Sequence, residues 1–173
     1  MIFMNKLFPD LHKKDIYEID YRGLYNKGFR AVLFDIDNTL TTYGTKADRS
    51  NIEFFKSLRE IGFKTCLISN NKEKRVSPFA KAVGSPYIYK ADKPSKKGYI
   101  KAMNTLNVKK EQTFFVGDQI FTDIWGANNA GIYSILVDPI SPKEEIQIVL
   151  KRFFERIVLF FYKIKTDKVK KND

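Results

Sequence analysis

The run Ala31-Val32-Leu33-Phe34 is apolar throughout and ends in Asp35-Ile36-Asp37, two carboxylates one residue apart, followed by Asn38-Thr39-Leu40. A short continuous apolar run reads as a strand buried on both faces, the mark of a parallel sheet covered by helices. Closing that strand with two acids puts charge where burial is expensive. The charge needs compensation, and a divalent cation together with a phosphate group would provide it.

The rest of the chain alternates strand and helix patterns. A polar leader covers 1–28, with a short helix near Tyr21–Lys27 stopped by Gly28. Strands are expected at about Ala31–Ile36, Lys64–Ile68, Tyr87–Tyr89, Thr113–Val116 and Tyr133–Val137. Helices are expected at about Asp48–Ile61, with Ile52, Phe55, Leu58 and Ile61 on its buried face, at 74–83 with a break near Pro78, at Ser95–Leu106 with Ser95 as N-cap, and at Thr122–Asn129. A last amphipathic helix spans 142–165, before a basic tail over 166–173. Alternating β and α units of this size predict one α/β domain over 1–173, three layers deep, with a mostly parallel sheet. Ligands in such sheets bind at the carboxyl ends of the strands. Four segments converge there: Asp35 with Asp37, Ser69 with Asn70, Lys93, and Gly117 with Asp118.

Each segment offers a part of one chemistry. Asp35 is placed to attack phosphorus as a nucleophile. Asp37, past the strand end, can protonate the leaving oxygen and then deprotonate the attacking water. Ser69-Asn70-Asn71 supplies a hydroxyl and amides for phosphoryl oxygens, and Lys93-Pro94 a neutralising cation. In Gly117-Asp118-Gln119-Ile120-Phe121-Thr122-Asp123, glycine permits close backbone approach and Asp118 can complete an octahedral Mg²⁺ site with Asp35 and the Asp37 carbonyl. Asp123 reads as an outer ligand or as an orienting partner for Lys93.

These four segments, in this order and spacing, resemble the motifs of the haloacid dehalogenase (HAD) phosphohydrolases over roughly residues 15–140. With the leader Leu7-Phe8-Pro9-Asp10 and Ile16-Tyr17-Glu18-Ile19, the chain resembles subfamily IIIA of YqeG type, which includes phosphatidylglycerophosphatases. The resemblance implies a HAD-like Rossmannoid fold, Asp35 as nucleophile and Asp37 as acid/base. It implies phosphate binding by Ser69 and Lys93, with Asn70, Asn38 and Thr39 beside them, and Mg²⁺ held by Asp35, Asp37 and Asp118. The gaps after Asp37 and before Lys93 are too short for a cap domain. An open site suits a substrate that covers it, such as a lipid in a bilayer, a polymer or a protein.

Charge bears on the partner. The net charge is +11, which draws polyanions: anionic bilayers, phosphorylated substrates or nucleic acid. No RNA-binding signature accompanies it, so nucleic acid is not expected. The terminal helix carries Ile146, Val149, Leu150, Phe153, Phe154, Ile157, Phe160, Phe161 and Ile164 on a wide arc, with Lys151, Arg152, Glu155, Arg156 and Lys163 opposite. Such a helix suits a membrane interface, and equally docking on the sheet or a dimer face. Lys163, Lys165, Lys168, Lys170 and Lys171, with Ile2, Phe3, Met4, Leu7 and Phe8 of the leader, would add to a lipid contact. One cysteine, Cys66, excludes an internal disulfide, and the start does not read as a signal peptide. The expectation is a cytoplasmic Mg²⁺-dependent phosphatase, peripheral on the inner membrane face, acting on an anionic phospholipid. A soluble sugar phosphate, nucleotide or phosphoprotein is the alternative substrate, and a non-catalytic RNA or ribosome-binding module the alternative of another class.

Overall fold

A computed structural model of the chain describes residues 5–141 and 154–164. The expected helix over 142–165 is therefore described only in its second half. The basic tail over 166–173 and the leader residues Ile2, Phe3 and Met4 lie outside the described residues.

Six strands form one parallel sheet: β1 (Leu11–Lys13), β2 (Ala31–Phe34), β3 (Lys64–Ile68), β4 (Tyr87–Ile88), β5 (Thr113–Gly117) and β6 (Tyr133–Val137). Their order is β1-β6-β5-β2-β3-β4. β2 is central, with Leu33 opposite Cys66 of β3 and Phe115 of β5. All four β2 residues are fully buried, as a strand covered on both faces requires. The helices are α1 (Tyr21–Asn26), α2 (Arg49–Ile61), α3 (Glu73–Val83), α4 (Lys97–Leu106), α5 (Trp125–Ala130) and α6 (154–164).

Strand alternation sorts the core into two layers. Val32, Phe34, Leu67, Phe114 and Val116 face one side and meet Tyr21 and Leu24 of α1, Phe54, Phe55 and Leu58 of α2, and Val76 and Phe79 of α3. Leu33, Cys66, Ile68 and Phe115 face the other side and meet Tyr99, Ala102 and Met103 of α4 and Ala127 of α5. A smaller cluster joins Leu7, Ile120, Ile124 and Leu136 to Val158 of α6.

Several expectations need correction. No strand is expected in the leader, yet β1 pairs with β6 and extends the sheet by one edge strand. His12 of that strand lies 2.8 Å from Asp138, just past the end of β6. The buried face of α2 is Asn51, Phe54, Phe55 and Leu58, while Ile52 is exposed. Helix α3 runs unbroken through Pro78, which stands in its second turn and forfeits one amide bond. Ser95 does accept the Lys97 amide, at 3.4 Å, but the helix itself starts at Lys97. The helix expected from Thr122 begins instead as a π-helical turn, Ile120–Ile124, and continues as α5.

Candidate active site

The four sequence segments meet at the carboxyl edge of the sheet. Asp35 and Asp37 follow β2, Ser69 to Asn71 follow β3, Lys93 follows β4, and Asp118 and Asp123 follow β5. The strands that carry them are the neighbours β5-β2-β3-β4.

Lys93 sits at the centre and is 7% exposed. Its Nζ lies 2.6 Å from Asp35 Oδ1 and 2.6 Å from Asp123 Oδ1. Burial alone would lower the Lys93 pKa, but the charges of Asp123 and Asp35 outweigh it, so its pKa is raised and it stays protonated. Burial drives the Asp35 carboxyl up from 3.8 to about 7; Lys93 opposes that rise, while Asp123 and Asp37 add to it. Asn70 clasps the Lys93 backbone: its Oδ1 accepts the Lys93 amide at 2.7 Å and its Nδ2 donates to the Lys93 carbonyl at 3.1 Å. Two residues expected to meet phosphate are thereby tied to each other.

Asp123 is held from three sides. Besides Lys93, its Oδ2 accepts the Gln119 amide at 3.1 Å, and its carbonyl accepts the Tyr99 hydroxyl at 3.0 Å. Gly117 lets this packing exist, since a Cβ there would lie 2.6 Å from Asp123 Oδ2.

Asp37 faces a different set of donors. Its Oδ1 accepts Arg75 Nη2 at 2.7 Å, Arg75 Nε at 3.2 Å and the Gly44 amide at 3.0 Å. Its Oδ2 accepts Asn71 Nδ2 at 2.8 Å. Arg75 was not among the residues expected from the sequence. The available signal was its place in the first turn of α3, directly after the Ser69-Asn70-Asn71 strand end. Ser69 is buried and its Oγ accepts the Asn71 amide at 3.1 Å. Thr39 donates its hydroxyl to Asp118 Oδ1 at 3.1 Å, on the acidic side of the site. Asn38 adopts φ +66°, and its amide bonds Thr41 at 2.7 Å, which turns the chain away from the strand.

Carboxylate oxygens of Asp35, Asp118 and Asp123 lie within 4.8 Å of one another, and all three residues are buried. Three buried acids around one ammonium leave net negative charge, and the donors are oxygen only; both fit a hard cation such as Mg²⁺. The acid that joins this cluster is Asp123 rather than the Asp37 carboxylate, which is turned to Arg75 and Asn71.

Comparison with known proteins agrees with this geometry. Residues 47–131 match the family model for haloacid dehalogenase-like hydrolases. The chain is 36% identical over 162 residues to "Probable phosphatase YqeG" of Bacillus subtilis, covering 90% of this chain and 92% of that protein. It is 28% identical to the chloroplastic "Phosphatidylglycerophosphate phosphatase 1" of Chlamydomonas reinhardtii, over 85% of this chain but 59% of that longer protein. Among solved structures, a HAD-superfamily hydrolase from Ehrlichia chaffeensis shares the fold with a TM-score of 0.52 and 16% identity, covering 75% of this chain and 95% of that one. With the sheet, the acidic edge and the buried lysine in place, the chain belongs to the haloacid dehalogenase-like hydrolases, and within them to the phosphatases of YqeG type.

Proposed function

We propose that this phosphatase cleaves phosphate monoesters through an aspartyl-phosphate on Asp35, with Mg²⁺ as cofactor. The supporting observation is the buried Asp35–Lys93–Asp123 array, which sets a carboxylate at a strand end beside a fixed cation. Asp35 Oδ attacks phosphorus, the bond to the leaving oxygen breaks, and Asp37 gives that oxygen a proton. Water then attacks the acyl-phosphate, Asp37 takes its proton, and inorganic phosphate and free Asp35 result. Lys93 faces the phosphoryl oxygens with its ammonium, and Ser69 donates its hydroxyl to them. Arg75, Asn71 and the Gly44 amide fix the orientation of Asp37. Asp35, Asp118 and the Asp37 carbonyl would hold Mg²⁺, which would supply positive charge to the phosphoryl oxygens.

We further propose phosphatidylglycerophosphate as substrate, at the cytoplasmic face of a membrane. Support comes from the name of the Chlamydomonas relative, from the missing cap and from α6. The chain between β2 and α2 and between β4 and α4 holds only short loops among the described residues. Helix α6 turns Glu155, Val158, Leu159 and Tyr162 toward the body, while Phe154, Ile157, Phe160, Phe161 and Ile164 are exposed. An exposed apolar stripe on a strongly basic chain suits an anionic lipid surface. No described helix is long and apolar enough to cross a membrane.

The test is phosphate release from phosphatidylglycerophosphate in vesicles with Mg²⁺, with Asp35→Asn as control. Release that this substitution and a chelator both abolish is the expected result. Hydrolysis of a generic aryl phosphate without release from the lipid would overturn the lipid assignment alone. Silence on both substrates would overturn the proposed catalysis.

A further inference from the structure

Glu155 was expected on the solvent side of the terminal helix, yet it is 4% exposed. Its Oε1 accepts the Ile120 amide at 2.8 Å and the Phe121 amide at 3.5 Å. A buried carboxylate is costly unless it is hydrogen-bonded, so this placement needs a return in structure. The return is visible in what it caps. Ile120 and Phe121 open the helical stretch that continues into α5, and amides at a helix start lack partners within the helix. A carboxylate there gains charge-assisted bonds and the favourable end of the helix dipole.

The capped turn carries the acids of the site. Asp118 stands two residues before Ile120, and Asp123 stands two residues after Phe121. From within, the turn is tied by Asp123 Oδ2 to the Gln119 amide. From without, it is tied by Glu155, which lies 35 residues beyond Ile120 in the chain. Apolar contacts of Val158 with the cluster of Leu7, Ile120, Ile124 and Leu136 press α6 onto the same turn.

We infer that Glu155 is a positioning residue: through it α6 fixes the Gly117–Asp123 loop, so the terminal helix is part of the apparatus that holds the cation and Lys93. This rests on the proposed Mg²⁺-dependent reading of the site. Trp125, the chain's one tryptophan, follows the turn directly and packs against its cluster, so its fluorescence reports on the loop.

The experiment titrates full-length protein with Mg²⁺, without substrate, following Trp125 emission, and in parallel follows aryl phosphate hydrolysis. Loss of a group hydrogen-bonded to a metal ligand typically weakens metal binding or activity by about 10- to 100-fold, and Glu155 acts one step further out, through the turn that carries the ligands. Glu155→Ala should therefore raise the half-saturating Mg²⁺ concentration by about threefold to tenfold in both readouts, and speed amide exchange at Ile120 and Phe121. Glu155→Gln keeps an acceptor for the same amides and should recover most of the loss. A wild-type titration in Glu155→Ala, or a Gln variant as impaired as the Ala variant, would overturn the inference. If Glu155→Ala does not fold, Glu155→Asp decides, because it keeps the charge but falls one methylene short; wild-type half-saturation there would overturn it as well. Wild-type protein without any Mg²⁺ response in either readout would instead overturn the underlying Mg²⁺ reading.

Discussion

At the scale of single residues, the site divides into two halves with separate supports. Asp35 and Asp123 share the Lys93 ammonium, whereas Asp37 answers to Arg75, Asn71 and Gly44. In the proposed reaction the second half protonates the leaving group, so its loss should depend on the leaving group. Asp37→Asn should lower turnover of an alkyl phosphate by about 10²- to 10⁴-fold, the usual worth of a general acid or base. It should cost less with an aryl phosphate, whose oxygen leaves more readily unprotonated. Arg75→Ala should follow the same pattern more weakly, and a loss equal for both esters would argue against this role. Asp35 yields a prediction about pH. Its folded-state carboxyl titrates near 7 because of burial, against an ordinary 3.8. Between those values the folded chain keeps a proton that the unfolded chain has released. Stability on this account is full below about pH 4 and is lost as pH rises through about 7. In chelator, the melting temperature of Asp35→Asn relative to wild type should therefore climb across that window and level off above it. Added Mg²⁺ should stabilise wild type more at pH 8 than at pH 5, since it favours the ionised carboxylate. A pH-independent difference between the two proteins would contradict the shifted Asp35.

At the scale of elements, legibility follows from how local the cause is. The strands β2, β3 and β5 were readable because burial on both faces demands continuous apolar runs, and so was the convergence of their polar ends. The face of α2 was not, because a single buried amide decides it. Asn51 closes a capping box with Asp48 and donates Nδ2 to the Leu40 carbonyl at 2.8 Å, tying the helix start to the loop after Asp37. That turns Ile52 outward and brings Phe54 in beside Phe55. A polar residue in the core is invisible to a rule that scores apolar spacing. β1 escaped for a related reason: its three residues, Leu11, His12 and Lys13, take their strand form from pairing with distant β6. Arg75 and Glu155 were equally hidden, since each meets its partner across 38 and 35 residues of chain. The α2 register can be checked by stability. Phe55→Ala should cost about 3–5 kcal/mol as a large-to-small change in a closed core. Ile52→Lys should stay within about 0.5 kcal/mol, as surface changes do. Comparable losses at both positions would restore the original face.

At the scale of the whole molecule, the two surfaces of α6 serve opposite ends of one problem. Its inner face, with Val158, Leu159 and Glu155, is spent on the body and the Gly117–Asp123 turn. Its outer face keeps Phe160 and Phe161 in edge contact with each other, 5.7 Å between ring centres, 62% and 45% exposed. On the helix wheel Arg156 and Lys163 lie beside that stripe. On the proposed lipid contact, the stripe engages lipid while the inner contacts stay intact, so membrane binding and folding should separate on substitution. Replacing Phe160 and Phe161 together with Glu removes two aromatic anchors, each worth about 1.5–3 kcal/mol when fully buried, and adds negative charge. Co-sedimentation with anionic vesicles should fall at least about tenfold while the melting temperature barely moves. Wild-type binding should also weaken as salt is raised, because the basic surface contributes through screened attraction. Unchanged sedimentation of the double variant would place the lipid contact elsewhere on the molecule. A large drop in melting temperature would mean that the stripe is packed against the protein itself, and that the open face belongs to the core rather than to a bilayer.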